Sequence, residues 1–467
     1  MIILEALIFL VVSSITILSL NGYGKIIAIK YKKNFIEEIF FGFMVVAFIV
    51  TLVHFFIKIN YLISVSILFF GIIYFIKINK KKFLKINFTY WVIFLIFIPI
   101  FLSQKYHEDF GYYHLPYVLT MVEQKIIFGL ANSNLAYSHN SIWLNIMSLF
   151  YLPKNNLNYL TTPAFLIYSL FIIFFIKKNL ESNKKSISGY FIIISLFYLI
   201  LKFTRLSEYG NDLPSLLFSI LTIFYFLKFS EINEWNQKYF YFFCCVSFAL
   251  FSILIKLSAI PILLLPLILF IQNYKTLKKE IINVNYLFVF LLVFIFYLQQ
   301  FIYTSCIIFP SKFSCINTEW FNNEFLLLRE NLELNNKSYY ASDNLLTKKD
   351  YLSKFNWFLF WFEINYSKIL ENILTISLPI LLLIFLLNKE KKNLKLYFKN
   401  KRLFILFIFL SFVFWLKFSP VYRFSIPYFL SLFFIISLNF YTNKKFSKKI
   451  FLFLILFSLL FNFTKNI

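Results

Sequence analysis

Charge is scarce in this chain. Asp, Glu, Lys and Arg make up 14% of its 467 residues while 60% are hydrophobic, against about 25% charge in a soluble globular domain. That shortage excludes an ordinary water-exposed surface, and the mean hydropathy of +0.76 agrees. Glycine (8) and proline (11) are also few, and neither a Gly/Ser linker nor a Gly-rich phosphate loop is present. The four His residues lack metal-ligand spacing, and no hydrolase nucleophile motif occurs. No cofactor is expected, and no spacing argues for a metal, which stays open.

What the chain has instead is apolar runs. They fall at 1–20, 39–57, 61–76, 88–103, 159–176, 189–203, 213–228, 239–255, 259–272, 284–301, 371–388, 403–416, 425–440 and 449–464. Most approach the ~20 residues that carry a helix across about 30 Å of hydrocarbon. The alternation of a membrane β-barrel is missing. The expectation is an all-α polytopic membrane protein of about 14 transmembrane helices, forming one transmembrane domain over 1–467. The first run lacks a basic flank on its N-terminal side and carries Glu5, so it reads as an uncleaved span.

The formal charge of +25 does not point to nucleic acid, because the Lys residues sit in short clusters between apolar runs. Such clusters set topology beside anionic lipid. With 21–38 taken as cytoplasmic, alternate loops hold 29 of the 46 Lys and Arg residues and the longer opposite loops hold 17. Two segments on the outer side are long. Residues 104–158 include SIWLNIMSLFYL (141–152), too short to span and read as an interfacial helix. Residues 302–370 form the second.

Phe (68) and Tyr (31) are abundant, as in the product of an AT-rich genome, so aromatic and Lys stripes say little. Residues disfavoured by that bias say more. All four Asp residues and three of the four Arg residues (Arg205, Arg329, Arg423) fall on the outer side. Arg offers a planar fork for phosphate or carboxylate. Three outer segments gather these groups. HEDFGYYHLP (107–116) has Glu108 and Asp109 with His107 and His114. TRLSEYGNDLP (204–214) has Arg205, Glu208 and Asp212. LKFSPVYRFSIP (416–427) has Tyr422 and Arg423.

Each segment also has a plain reading. Glu108 and Asp109 suit helix capping, Arg205 and Asp212 suit a pair across their hairpin, and any of these charges can simply be solvated. Convergence on one face favours function. Cys306 and Cys315, nine positions apart in the second outer segment, form a disulfide in an oxidising compartment or stand as two thiols. The spacing does not choose. Cys244 and Cys245 lie inside an apolar run and suit packing.

With its acidic first outer loop EDFGYYHLP, the hairpin TRLSEYGNDLP, SCIIFP followed by Trp320, and the terminal YRFSIP, the chain resembles the GT-C superfamily of membrane glycosyltransferases. Its likeness is to members from bacterial surface-polysaccharide clusters. The resemblance implies a GT-C-like fold in the bacterial inner membrane, active on the periplasmic or extracellular face. It implies inverting transfer of a sugar from a polyprenyl-phosphate donor to a glycan, lipid or protein acceptor. Asp109, with Glu108 adjacent, would be the catalytic base. Arg205 or Arg423 would hold the lipid phosphate, with His114, Glu208, Asp212 and Tyr422 also binding substrate. The chain departs from better-known members by placing three spans before the one that leads into the acidic loop, and by lacking a recognisable C-terminal soluble domain. The acceptor therefore stays open. A transporter or flippase of lipid-linked sugars would carry ionisable residues at mid-membrane, where the drawn spans hold little besides His54. A polysaccharide polymerase or ligase of the Wzy kind would rely on outer Arg and His more than on a first-loop carboxylate. A non-catalytic assembly scaffold would need none of these groups.

Overall fold

The structure, a computed structural model, describes the chain apart from residues 1, 28–30, 32, 79–87, 104–106, 153–156, 182–185, 203–208, 310, 342–345, 388–397, 399, 439–447 and 467. Among the described residues the regular elements are helices, and extended pairing is limited to one antiparallel bridge between Cys306 and Cys315. In chain order they are α1 (Ile2–Gly24), α2 (Phe35–His54), α3 (Tyr61–Ile78), α4 (Phe88–Leu102), α5 (Leu115–Glu123), α6 (Ile142–Ser148), α7 (Thr162–Glu181), α8 (Ile187–Lys202), α9 (Asp212–Glu231) and α10 (Trp235–Ile255). There follow α11 (Leu264–Gln272), α12 (Tyr274–Leu277), α13 (Val284–Thr304), α14 (Glu324–Asn336), α15 (Lys348–Leu352), α16 (Trp357–Leu387), α17 (Lys401–Phe418), α18 (Ile426–Ser437) and α19 (Lys448–Asn466).

The protein is an all-helical membrane protein. Each of the fourteen apolar runs contains a helix, and seven helices among the described residues are long and apolar enough to cross a bilayer: α1, α2, α3, α7, α9, α10 and α13. Two runs differ from expectation in instructive ways. Residues 259–272 do not form one helix. A 3-10 segment, Leu257–Leu263, precedes the nine-residue α11, because Pro261 and Pro266 each remove a backbone donor. The run drawn at 371–388 belongs to a 31-residue helix that starts at Trp357, about 46 Å long at 1.5 Å per residue. Its first turns carry Trp357, Phe358, Trp361 and Phe362, aromatics suited to the headgroup layer, and the segment drawn as 302–370 is helical from Trp357 onward.

A capping box starts α2. The Asn34 side chain accepts from the Ile36 and Glu37 amides while Glu37 accepts from the Asn34 amide. Glu37 also accepts from Tyr225 Oη at 2.9 Å and pairs with Lys178 at 3.3 Å. These contacts join the start of α2 to the ends of α7 and α9, and Glu231 joins the same end by accepting from Ser188 at the start of α8.

Packing of α1 against α2 and α3 is close enough to need glycine. A Cβ on Gly42 would collide with the Leu20 backbone, and one on Gly71 with Ser19. Small residues let membrane helices approach where lipid supplies no hydrophobic drive between them. Gly42→Val should lower stability by about 1–3 kcal/mol, the usual range for overpacking, read as a lower thermal midpoint in detergent. An unchanged midpoint would mean that α1 is not held this way.

The short helix in the first long segment is present as α6 but does not lie at an interface. Every residue of Ile142–Ser148 is buried. Asn145, fully buried, explains this: it accepts from Tyr117 Oη (2.9 Å) and donates to Thr51 Oγ1 and Gln299 Oε1 (both 2.8 Å). Such an amide is tolerated only inside protein, where its bonds are made. The segment thus plugs the bundle between α2, α5 and α13.

Candidate functional site

At the other end of the bundle from Glu37 lies a cavity of ≈ 900 Å³, within the range of small-molecule sites. Its wall is drawn from distant parts of the chain: the segment before α5, the start of α9, the end of α10, the end of α13, α14, and the turn after α17.

Asp109 enters it from a π-helical turn. Helical backbone begins at Glu108 and passes through Phe110–His114 in π geometry before α5. Such turns occur mostly as single bulges and often mark functional sites. The Asp109 side chain makes no capping hydrogen bond, so the capping interpretation fails for it. Its Oδ2 lies 3.2 Å from His107 Nδ1. Glu108, its neighbour, is exposed and outside the cavity wall. Phe110 stacks on Tyr209 with ring centroids 4.0 Å apart, which fixes the bulge against the approach to α9.

Asp212 stands in the first turn of α9 between two cations. It pairs with Lys256 Nζ, just past the end of α10, and its Oδ2 lies 2.8 Å from Arg423 Nε. The Arg423 Nε–H is not aligned for a hydrogen bond, so that contact is an ion pair alone. Lys256 and Arg423 both sit over the Phe424 ring, at 4.0 and 5.6 Å from its centroid, a cation–π arrangement that eases two like charges sharing one corner. The turn bearing Arg423 is held by Trp415 Nε1 donating to Val421 O at 2.8 Å. Burial lowers the pKa of Lys256, and Asp212 opposes that shift.

His114 is buried, lines the cavity, and its Nε2 has no hydrogen-bond partner among the described residues. Burial pulls its pKa down to about 4, against the pull of Asp109. Burial also raises the Tyr113 hydroxyl, with Asp109 and Asp212 adding to the rise. His139 is likewise lowered to about 4 by burial, with Lys256 contributing. These rings are neutral at pH 7.

A depressed His pKa weakens the fold as pH falls. Between about 6.5 and about 4 the unfolded chain binds a proton at residue 114 that the folded chain refuses. The contribution is about 1.4 kcal/mol per pH unit in that window and nothing above it. His114→Gln should flatten the fall of the thermal midpoint between pH 6.5 and 4. A slope identical to wild type would show that the ring charges freely.

Of the residues singled out in the sequence, the structure brings Asp109, His114, Asp212 and Arg423 into one cavity. Glu108 and Tyr422 do not line it. Tyr422 lies beneath Lys368 of α16, 6.0 Å from ring centroid to Nζ. Arg205 and Glu208 lie outside the described residues, and Asp212 takes Lys256 and Arg423 as partners. Sequence reading missed Lys256, although it is the single charge between Lys238 and Lys275 in an otherwise apolar stretch. A lone charge so placed marks a functional site by default, and counting it as a loop residue hid it. Asn140 and Gln300, also on the wall, carried no signal at all. The second long segment supplies Ile307, Ile308 and Phe309 from a turn closed by the Cys306–Cys315 disulfide, which answers the question the spacing left open.

Residues 1–430 match the model of a family described as "Domain of unknown function (DUF8201)". The chain belongs to that family. No curated protein and no solved structure matches it. Since the match runs from α1 into α18, every element contributing to the cavity falls within the family domain.

Proposed function

We propose that this protein is an inverting, GT-C-type glycosyltransferase of the bacterial inner membrane. It would transfer a sugar from a polyprenyl-phosphate donor to an acceptor hydroxyl on the outer face, with about fourteen crossings in all. The observation that carries this reading is a single cavity holding both a carboxylate with no capping role, Asp109, and cations, Lys256 and Arg423 among them. Transfer between a hydroxyl and a sugar phosphate needs those two parts together. Asp109 takes the proton from the attacking hydroxyl as the new bond to the anomeric carbon forms. The anomeric carbon–phosphate oxygen bond breaks on the opposite face. The lipid phosphate leaves with the electron pair and meets Lys256 and Arg423. A positioned base contributes about 10²–10⁴-fold.

Two observations support the outer placement. The opposite end of the bundle carries Lys25, Lys33, Lys178, Lys228 and Lys238, near the ends of α1, α2, α7, α9 and α10, as cytoplasmic ends do. The cavity end carries the disulfide, a bond that persists in oxidising compartments.

The test uses the full chain in proteoliposomes with polyprenyl-phosphate sugars carrying a radiolabelled sugar. The reading predicts release of free polyprenyl phosphate that requires an acceptor and Arg423. Movement of intact lipid-linked sugar between leaflets without cleavage would overturn it in favour of a flippase.

A further inference from the structure

The wall of the cavity carries more than the charged groups used above. On the side formed by α13, α14 and the 3-10 turn Leu135–Ser138 it presents Ser138, Asn140, Gln300, Asn335 and Asn336, with Glu333 beside them. The cations on the cavity wall, Lys256, Lys417 and Arg423, come from the end of α10, the last turn of α17 and the turn after it, not from α13 or α14, and Lys337, which pairs with Glu333, is not on the wall.

Two of these amides are held in place from behind. Asn140 accepts from Tyr117 Oη at 2.9 Å and donates to Gln299 Oε1 at 3.1 Å. Gln299 and Tyr117 are themselves buried and share Asn145. Gln300 donates through Nε2 to Ser138 O at 2.8 Å and to Thr304 Oγ1 at 3.4 Å, which leaves Oε1 outside both bonds. A satisfied buried network of this kind rigidifies what it touches. An amide so fixed still has one N–H and one lone pair to offer at Asn140, and acceptor capacity at Gln300.

From this arrangement we infer that the amide side of the cavity is an acceptor subsite for an uncharged, polyhydroxylated headgroup, a neutral oligosaccharide, and not for a peptide or an acidic glycan. The inference rests on the glycosyl-transfer reading and names the acceptor that reading leaves open. Sugar hydroxyls donate and accept at once, and amides do the same. The Phe309 ring, set 5.2 Å from His139 by the disulfide-closed turn, adds an apolar face against which a sugar ring can lie. Glu333 and Asp109 line the same space, so an acidic acceptor would meet like charge, which lowers its affinity. A subsite here brings the acceptor to the cavity that Asp109 lines, with Lys256 and Arg423 left for the donor phosphate.

The experiment measures binding with the full chain in nanodiscs. Saturation-transfer NMR would be recorded with neutral glucose, galactose and N-acetylglucosamine oligomers, with oligogalacturonate, and with a Ser/Thr-rich peptide. Binding of undecaprenyl phosphate to the same sample is measured in parallel. At least one neutral oligomer should bind, weakened at least ~10-fold by Asn336→Asp and by Asn140→Asp, while oligogalacturonate and peptide do not. Asn336 lies on α14, outside the buried network, so its variant keeps the test informative if Asn140→Asp fails to fold. Binding of oligogalacturonate or peptide in preference to every neutral oligomer, or no neutral oligomer binding at all, overturns the acceptor assignment. If undecaprenyl phosphate still binds in an Arg423-dependent way, the transfer reading survives that failure. If it does not, the donor reading falls as well.

Discussion

Asp109→Asn should reduce sugar transfer by about 10²–10⁴-fold while the protein still inserts, folds and binds lipid phosphate. The substitution keeps the size and polarity of the side chain and removes only its capacity to take a proton. Structure gives no reason for a folding defect. The carboxylate caps no helix, its one ion-pair neighbour among the described residues is His107 at 3.2 Å, and the bulge that bears it is fixed by Phe110 on Tyr209. The check is a transfer assay beside a thermal midpoint. Glu108→Gln serves as the control, since Glu108 lies outside the cavity and its loss should leave the rate within about two-fold, as for a surface change. Equal losses at both positions would remove Asp109 from its role.

Arg423→Gln and Lys256→Gln should each lower the rate by about 10²–10³-fold, the effect of removing one preorganised group that meets developing charge. Their combination should fall well short of the product of the two, because both would act on one phosphate and share Asp212. Fold effects can be separated from rate effects here. Asp212 keeps one of these two cations in either single variant, whereas the double variant removes both from a carboxylate only 19% exposed. Breaking a buried pair outright is strongly destabilising, about 3–5 kcal/mol. The expected pattern is therefore two near-normal thermal midpoints and one depressed midpoint, with transfer impaired in all three. Full activity of Arg423→Gln would show that the phosphate is held elsewhere.

How much of this was legible in the sequence differs by residue. The helices were, because runs of Phe, Ile and Leu have no stable alternative in lipid. Convergence of Asp109, Asp212 and Arg423 was also foreseen, since the composition makes Asp and Arg rare and the topology drawn from Lys and Arg density puts them on one side. Lys256 was hidden because Lys is the common base of this chain, and only its isolation within an apolar stretch set it apart. The burial of α6 could not be read, for Asn145 finds its partners on α2 and α13, about a hundred positions before it and more than a hundred after. Nor could Asn140 and Gln300 be singled out, as an amide's role depends on neighbours that only the fold supplies. The break in residues 257–272 was written plainly in Pro261 and Pro266, yet the apolar run masked it.

Sidedness and site chemistry meet at one position. In a background where Cys244 and Cys245 are replaced, Asp109→Cys can be labelled on intact cells with a membrane-impermeant maleimide, with and without added undecaprenyl phosphate. The cavity described here predicts labelling without permeabilisation, slowed by the lipid phosphate. Labelling that appears only after the membrane is opened, or that ignores the lipid phosphate, would contradict it.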